Sequence, residues 1–483
     1  MTGLLTSSLL ATPVLAQDLA SPPPPPAPVS IPAPVPIPRL GKSQISDLRA
    51  ALAQAQAQGL TDRTLTSDEA QAGDQALISA ILDYARAVHA GQLDSGDFLR
   101  EWGLRPAPYD PRPSFAAAVA QDKLRAWLAS LPPPYAGYDG LRRGLATYRQ
   151  IQADGGWPRL EPGPDIMPGV TGARVVALRK RLAVEDKAVS TDGDAFDDAL
   201  LDAVRRAQRR YGLNPSGIVS TQTIAALNVP VSVRIRQILA NMERWRWLPP
   251  QLARNRIQVN IAAAVLTVFD GDVPVKSMRA VTGRPGDETP MLQSTITSIV
   301  LNPPWNVPTS IATKELWPKE KANPGYFKRN GFKVISLADG GSRLQQQAGT
   351  KSALGRYKFD FDNPYAVYLH DTPTQSTFAL YSRLSSHGCV RLEKPGELAE
   401  LLLKDTPDWA PDAIKATIDK GDTVRARLQT PVAVYLLYWT AFASANGQIS
   451  FRGDPYGWDS GLMDKIDGRD RKELVADVLK GVR

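Results

Sequence analysis

The stretch Ser386-His387-Gly388-Cys389-Val390-Arg391 concentrates the residues of this chain that could do covalent chemistry. Cys389 is the one cysteine in 483 residues, and His387 is one of three histidines. A second histidine, His370, lies 19 residues before the cysteine. A thiol becomes a nucleophile when a base takes its proton, and the base must be held in a fixed orientation. An imidazole near Cys389 would draw the thiol pKa towards neutrality. The successive N–H groups of His387, Gly388 and Cys389 could receive a developing oxyanion, and a glycine lets that backbone crowd the reacting carbonyl. The chemistry is acyl transfer through a thioester. Residue types alone leave water and an amine both open as acceptors. A buried structural thiol is the bland alternative, and the convergence of two of three histidines on one cysteine speaks against it.

Such residues need strand ends to hold them. From about residue 256 the apolar period becomes two: Ile257, Val259 and Ile261 alternate with polar residues. Leu266 to Phe269 run into Asp270-Gly271, a hairpin signal. Further strands are predicted at 277–282, 295–301, 365–370 and 422–428, and a helix at 395–404. His370 would end a strand, and Cys389 would begin a turn leading towards that helix. Residues 309–350 interrupt the strands with charged, glycine-rich sequence that could cap a cleft.

The upstream half reads as helical. Length alone predicts about three domains. Residues 1–16 resemble the apolar core of a secretory signal with Val-Leu-Ala before Gln17, though without a basic leader, so export is expected. Residues 17–42 form a linker whose Pro-dominated part, 21–38, is expected to be an extended polyproline tether. Residues 43–160 carry Leu48, Leu52, Ile78, Ile81, Leu82, Tyr84 and Ala85 at helical spacings and form an all-α region, with further helices at 116–128 and 140–152. His89 in this region reads as a structural histidine. Residues 161–230 form three short helices, the third opened by Ser220 as N-cap. Residues 231–255 read as a connecting amphipathic helix with Trp245 and Trp247 as packing anchors. The catalytic domain spans 256–430. A C-terminal segment, 431–483, ends in a charged tail from 446 that reads as a surface or frayed segment.

Charge and cysteine count set limits. The net charge is +8, with an isoelectric point near 9.4. That suits a polyanion, whether nucleic acid, an anionic membrane or an anionic wall polymer, and equally an ordinary basic surface. One cysteine makes no internal disulfide and too few ligands for a cysteine-rich zinc site.

Two patterns resemble known families. Ala203, Val204, Gln208, Gly212, Leu213, Gly217, Thr223, Leu227 and Asn228 fall where the peptidoglycan-binding module of bacterial cell-wall enzymes has its pattern, with Ser216 in place of a common Asp. His370, sixteen residues, then Ser386 to Arg391 resemble the signature of L,D-transpeptidase catalytic domains of the YkuD fold. Val281 to Pro285, Thr289 to Met291, Asn302 to Pro308, Leu354 to Phe359 and Tyr368 to Pro373 look like the large, periplasmic YcbB-type branch. The resemblance implies a multidomain α+β protein: a helical N-terminal region and a small three-helix module, then a β-rich catalytic domain needing no metal or organic cofactor. It implies Cys389 as nucleophile, His370 as base oriented by a carbonyl near Asp371, and His387 and Gly388 in the oxyanion turn. Tyr368, Arg391, Trp305 and Ser386 would line the substrate site. The implied reaction is 3→3 cross-linking of peptidoglycan, from a tetrapeptide-stem donor to the side-chain amine of a second stem. Carbapenem-type inhibitors would acylate the same thiol, other wall-synthesis proteins are candidate partners, and nucleic acid is not expected. The alternatives are an L,D-carboxypeptidase or endopeptidase of the same fold, and a non-catalytic wall-binding scaffold.

Overall fold

A computed structural model describes residues 35–60, 73–338, 340–444 and 447–468. The expected signal segment and most of the Pro-rich tether lie outside the described residues; 35–38 carry no regular structure.

The N-terminal region is helical because its apolar residues share faces. Leu48 and Leu52 of the helix Lys42–Ala53 meet Ile78, Ile81 and Val88 of Asp74–Ala90, and Phe115 and Trp127 close this core. The single helix expected over 116–128 is two, Arg112–Ala120 and Leu124–Ser130. The chain breaks between them at Asp122, whose φ of 53° is left-handed. His89 is structural as expected: Nδ1 lies 3.2 Å from the Leu131 carbonyl and the ring packs 4.0 Å from Tyr109.

The three-helix module comprises Ala173–Ala183, Asp198–Arg210 and Thr221–Leu227. Its pattern residues have visible duties. Buried Gln208 accepts from the Gly217 N–H (2.9 Å) and donates to the Ile218 carbonyl (2.8 Å), so one amide ties the helix to the following turn. Ser220 caps the third helix by accepting from the Thr223 N–H. Asn228 exchanges two 2.8 Å bonds with the Leu160 backbone and so anchors the module's entry.

The helix Val231–Arg246 departs from its reading as a connector. It is buried on most of its circumference, polar side chains included: Arg234, Gln237, Asn241, Glu243, Arg244 and Arg246 are all inside. Each makes at least one polar contact, as buried polar groups tend to, while Arg234 Nε, Arg244 Nε and Nη2 and Arg246 Nε have no hydrogen-bond partner among the described residues. Glu243 accepts from the Gln92 N–H and from Arg246, each at 2.7 Å. Asn241 donates to Thr440 at 2.7 Å, and Arg244 to Asp459 at 2.6 Å. Trp245 stacks on Trp439 at 4.4 Å, and Trp247 packs 5.6 Å from Trp102. The helix is therefore a hub on which the helical N-terminal region, the three-helix module and the C-terminal hairpin meet.

The partners Thr440 and Asp459 correct a second expectation. The tail read as frayed is part of the core up to residue 468. Ala441–Ala443 and Ile449–Phe451 form a hairpin, and residues 458–468 are helical. Phe451, Trp458, Leu462, Met463 and Ile466 are buried. Charged residues around 467–472 dominated the composition and hid a sparse apolar spacing that only tertiary contact makes legible. Residues 469–483 lie outside the described ones.

The β-rich domain is one nine-stranded mixed sheet. Its order is Leu384–Ser386, Val273–Gly283, Val390–Leu392, Leu369–His370, Tyr357–Phe361, Leu292–Leu301, Val424–Leu437, Asn255–Asn260, Val265–Asp270. The last strand pairs back onto Val273–Gly283, so the sheet closes on itself. Two predicted strands change length: 365–370 shrinks to two residues, and 422–428 grows to fourteen, with an irregularity between Arg427 and Val432. The helix Pro395–Leu403 follows the cysteine strand as expected. The insertion is a small body of its own. Short helices and the strands Phe332–Ser336 and Ser342–Gln346 enclose Val307, Leu316, Phe327, Phe332 and Leu344, and Trp305–Asn306 adds an edge strand.

Candidate active site

Two short parallel strands set the site. Val390 pairs with Leu369 and Arg391 with His370. Leu369 and Val390 are fully buried in the domain core. Side chains alternate across a strand. Tyr368, His370, Cys389 and Arg391 therefore share the opposite face, two from each strand. Tyr357–Phe361 adds a third strand that places Lys358 opposite His370.

His370 is held in one tautomer. Its Nδ1 lies 2.5 Å from the Asp371 carbonyl, so in the neutral ring Nδ1–H donates and Nε2 keeps its lone pair. Asp371 is itself fixed: its N–H donates to the Tyr357 carbonyl at 2.9 Å, and its carboxylate accepts from the N–H groups of Arg356 and Thr372, each at 2.7 Å. Burial, reinforced by the Arg391 charge, lowers the His370 pKa to about 3. The imidazole is therefore neutral at rest and free to accept a proton.

The thiol departs from the sequence-based expectation. Burial pushes Cys389 above the ordinary thiol range, against the pull of the Tyr368 N–H and hydroxyl and the charges of Lys358 and Arg391. The shared face therefore carries a thiol and an imidazole that burial keeps uncharged. Tyr368 links this centre to the insertion. Its hydroxyl interacts with both the Cys389 thiol and the Trp305 indole, and burial pushes its own pKa far up, so it stays a donor. Its ring lies 5.5 Å from His370, with Lys358 Nζ 4.4 Å from its centre.

The turn before the thiol is braced from below. Gly388 has φ of 105°, a conformation that favours glycine. Its N–H donates to Ser386 Oγ at 3.2 Å, which removes one of the three N–H groups expected to receive an oxyanion. Its carbonyl accepts from Thr289 Oγ1 at 2.7 Å, and Thr289 accepts from the Gly283 N–H at 2.8 Å. Ser386, expected to line the substrate site, is buried and donates to the Cys389 carbonyl at 2.5 Å. It shapes the turn instead. His387 turns towards the insertion: Nε2 lies 2.6 Å from Glu315 Oε1, and Arg284 sits 3.8 Å from the same oxygen.

The structure thus brings Tyr368, His370, Cys389 and Arg391 onto one face, with Trp305 reached through Tyr368. Sequence reasoning missed Lys358, Thr289 and Glu315. The alternation Tyr357-Lys358-Phe359-Asp360-Phe361 was the available signal for Lys358. Thr289 lies in a stretch, Thr289 to Met291, that resembles the family but assigns it no role, and Glu315 carried no signal of its own. Among the described residues, no cluster of His, Cys, Asp and Glu could hold a metal ion.

Residues 254–425 match the family model described as L,D-transpeptidase catalytic domain, YkuD. The β-rich domain is a YkuD-type L,D-transpeptidase catalytic domain. Residues 171–227 match the model described as "Putative peptidoglycan binding domain", and residues 40–145 one described as "Scaffold domain". A curated Haemophilus influenzae protein (strain ATCC 51907 / DSM 11121 / KW20 / Rd), named "Putative L,D-transpeptidase", is 35% identical over 260 residues, covering 49% of this chain and 52% of that protein. The chain thus spans about half the length of the curated relative it matches. The solved L,D-transpeptidase of Xylanimonas cellulosilytica DSM 15894 is 17% identical, with a TM-score of 0.18, over 57% of this chain and all of that one. That of Stackebrandtia nassauensis is 14% identical, with a TM-score of 0.23, over 58% of this chain and 96% of that one.

Two expectations attach to the L,D-transpeptidase domain's centre. The rate of Cys389 alkylation by iodoacetamide should climb with pH throughout the alkaline range, because burial holds the thiol protonated near neutrality. A plateau already reached below neutrality would reveal a preformed thiolate–imidazolium pair. Thr289→Val should strand the Gly388 carbonyl and the Gly283 N–H, costing about 1–3 kcal/mol in denaturant unfolding and slowing acylation of Cys389. An unchanged acylation rate would show that the brace does not position the thiol.

Proposed function

We propose that the chain is an L,D-transpeptidase that forms 3→3 cross-links in peptidoglycan. The observation that carries this is the shared face of Cys389, His370 and Tyr368 inside a domain of this type. The Cys389 sulfur attacks the carbonyl of the third residue of a donor stem while His370 Nε2 takes the thiol proton. The new C–S bond forms as the bond to the terminal D-alanine breaks, and His370 returns the proton to the departing amine. The side-chain amine of a second stem then attacks the thioester, its proton passes through His370, and the thiol is restored. The N–H groups of Cys389 and His387 hold the oxyanion, the Gly388 N–H being engaged. Tyr368 donates to the sulfur as its charge grows. Arg391 and Trp305 meet the donor stem. The three-helix module holds the wall, the protein acts in the periplasm after export, and carbapenems acylate Cys389.

Incubation with tetrapeptide-stem muropeptides, with products weighed by mass spectrometry, tests the reading. Cross-linked dimers plus free D-alanine are expected, and Cys389→Ala should yield neither. Tripeptide monomers without dimers would make water the acceptor and sink the transferase reading.

A further inference from the structure

The insertion 309–350 carries charge unlike its surroundings. It holds seven basic residues, five of them lysines, and three acidic ones, Glu315, Glu320 and Asp339. Its net charge of +4 is half of the chain's +8. In the same domain outside the insertion, Lys276, Lys358, Lys394, Lys404, Lys415 and Lys420 each pair with a carboxylate, and Lys351, next to the insertion, donates to the Arg329 carbonyl instead. Lys314, Lys319, Lys321, Lys328 and Lys333 are all exposed, and none is paired with a carboxylate among the described residues. The described carboxylates of the insertion are committed elsewhere. Glu315 grips His387, and Glu320 accepts the N–H groups of Gly325 (2.9 Å) and Phe327 (2.6 Å).

These ammonium groups flank apolar surface. A groove on the insertion is lined by Phe327, Phe332 and Val334 together with Lys328, Lys333 and Glu320, the last of these bonded to the Gly325 and Phe327 N–H groups. Val334 and Trp317 on the same body are exposed at 49% and 44%. Aromatic and aliphatic faces with flanking ammonium groups suit a polymer of sugar rings bearing carboxylates. The Glu315–His387 bond anchors this surface to the catalytic turn.

We infer that the capping insertion is a docking surface for the carboxylate-bearing peptidoglycan strand, steering polymeric wall to Cys389. The inference rests on the proposed wall substrate, but it concerns polymer capture rather than chemistry. Unpaired lysines on one small body raise the local concentration of a polyanion and make its capture salt-dependent.

The test replaces Lys314, Lys319, Lys321, Lys328 and Lys333 together by glutamine in the full chain. Co-sedimentation is measured with purified sacculi, with sacculi whose carboxylates have been amidated, and with phosphatidylglycerol vesicles. Turnover of soluble muropeptides is followed in parallel. Unmodified sacculi should bind the parent chain in a salt-sensitive way, and the variant should bind them about tenfold more weakly or less, with soluble turnover unchanged. Equal binding by variant and parent, or equal binding of amidated sacculi, overturns the inference. Vesicles that displace sacculi would assign the surface to an anionic lipid and overturn it as well. Absent soluble turnover in both proteins would refute the proposed reaction while leaving the binding comparison readable.

Discussion

Replacing His370 by alanine lowers the rate of Cys389 acylation by about 10²–10⁴-fold, while His387→Ser retains a measurable fraction. Three observations separate the two histidines. His370 shares a strand face with the thiol, its Nδ1 is fixed by the Asp371 carbonyl, and its pKa is lowered to about 3, so its lone pair is available. His387 spends its ring on Glu315. The pH profile carries the sign. Since His370 protonates only near pH 3, the parent enzyme should show no loss of acylation between about pH 8 and 5 attributable to it. In His370→Ala the remaining reaction depends on thiolate formed without a base. Burial raises that thiol, so the residual rate should rise steeply as pH increases. Stopped-flow acylation by a carbapenem reads both. A His387 variant that is dead beside an active His370 variant would reverse the assignment.

Glu243→Ala should cost about 3–5 kcal/mol, because removing one member of a buried ion pair leaves the other charge without its counterion. Glu243 is fully buried and receives the Gln92 N–H, Arg246 and the Trp247 indole. Arg246 is also inside, with the Tyr138 hydroxyl and the Gln58 carbonyl as its other contacts. Glu243→Gln should cost less, since an amide oxygen still accepts from Gln92. Denaturant unfolding followed at the tryptophans measures both. If Ala and Gln variants unfold alike, the charge of Glu243 alone, and not the shape or acceptor that Gln keeps, holds the joint between the helical region and the hub.

Much of the centre was legible because rare residues mark it: one cysteine and a histidine on a short apolar strand leave few arrangements. Period-two alternation gave the strand positions around Ile257 and Val281 for the same physical reason, a half-buried pleated surface. What stayed hidden depends on distance in space. The register of Val390 with Leu369 decides which side chains share a face, and no local signal sets it. Burial of Cys389 reverses the pKa direction that an imidazole neighbour suggests. The Gly388 N–H is taken by Ser386, two residues away in sequence but tied only through the turn's geometry. The hub helix looked amphipathic because Arg and Gln read as solvent-facing, whereas here they are matched inside by Ala226, Arg452, Thr440 and Asp459.

Those pairings set an order of events. Asn241 waits for Thr440, which follows it by 199 residues, and Arg244 and Gln237 wait for partners 215 residues later. At a synthesis rate of about 5–20 residues per second, the helix spends roughly 10–40 s with its polar groups unmatched. The separate core of residues 40–131 can close in that interval, but the middle of the molecule cannot until residues 440–459 have been made. The closing of the hub is thus timed by a segment written about two hundred residues later.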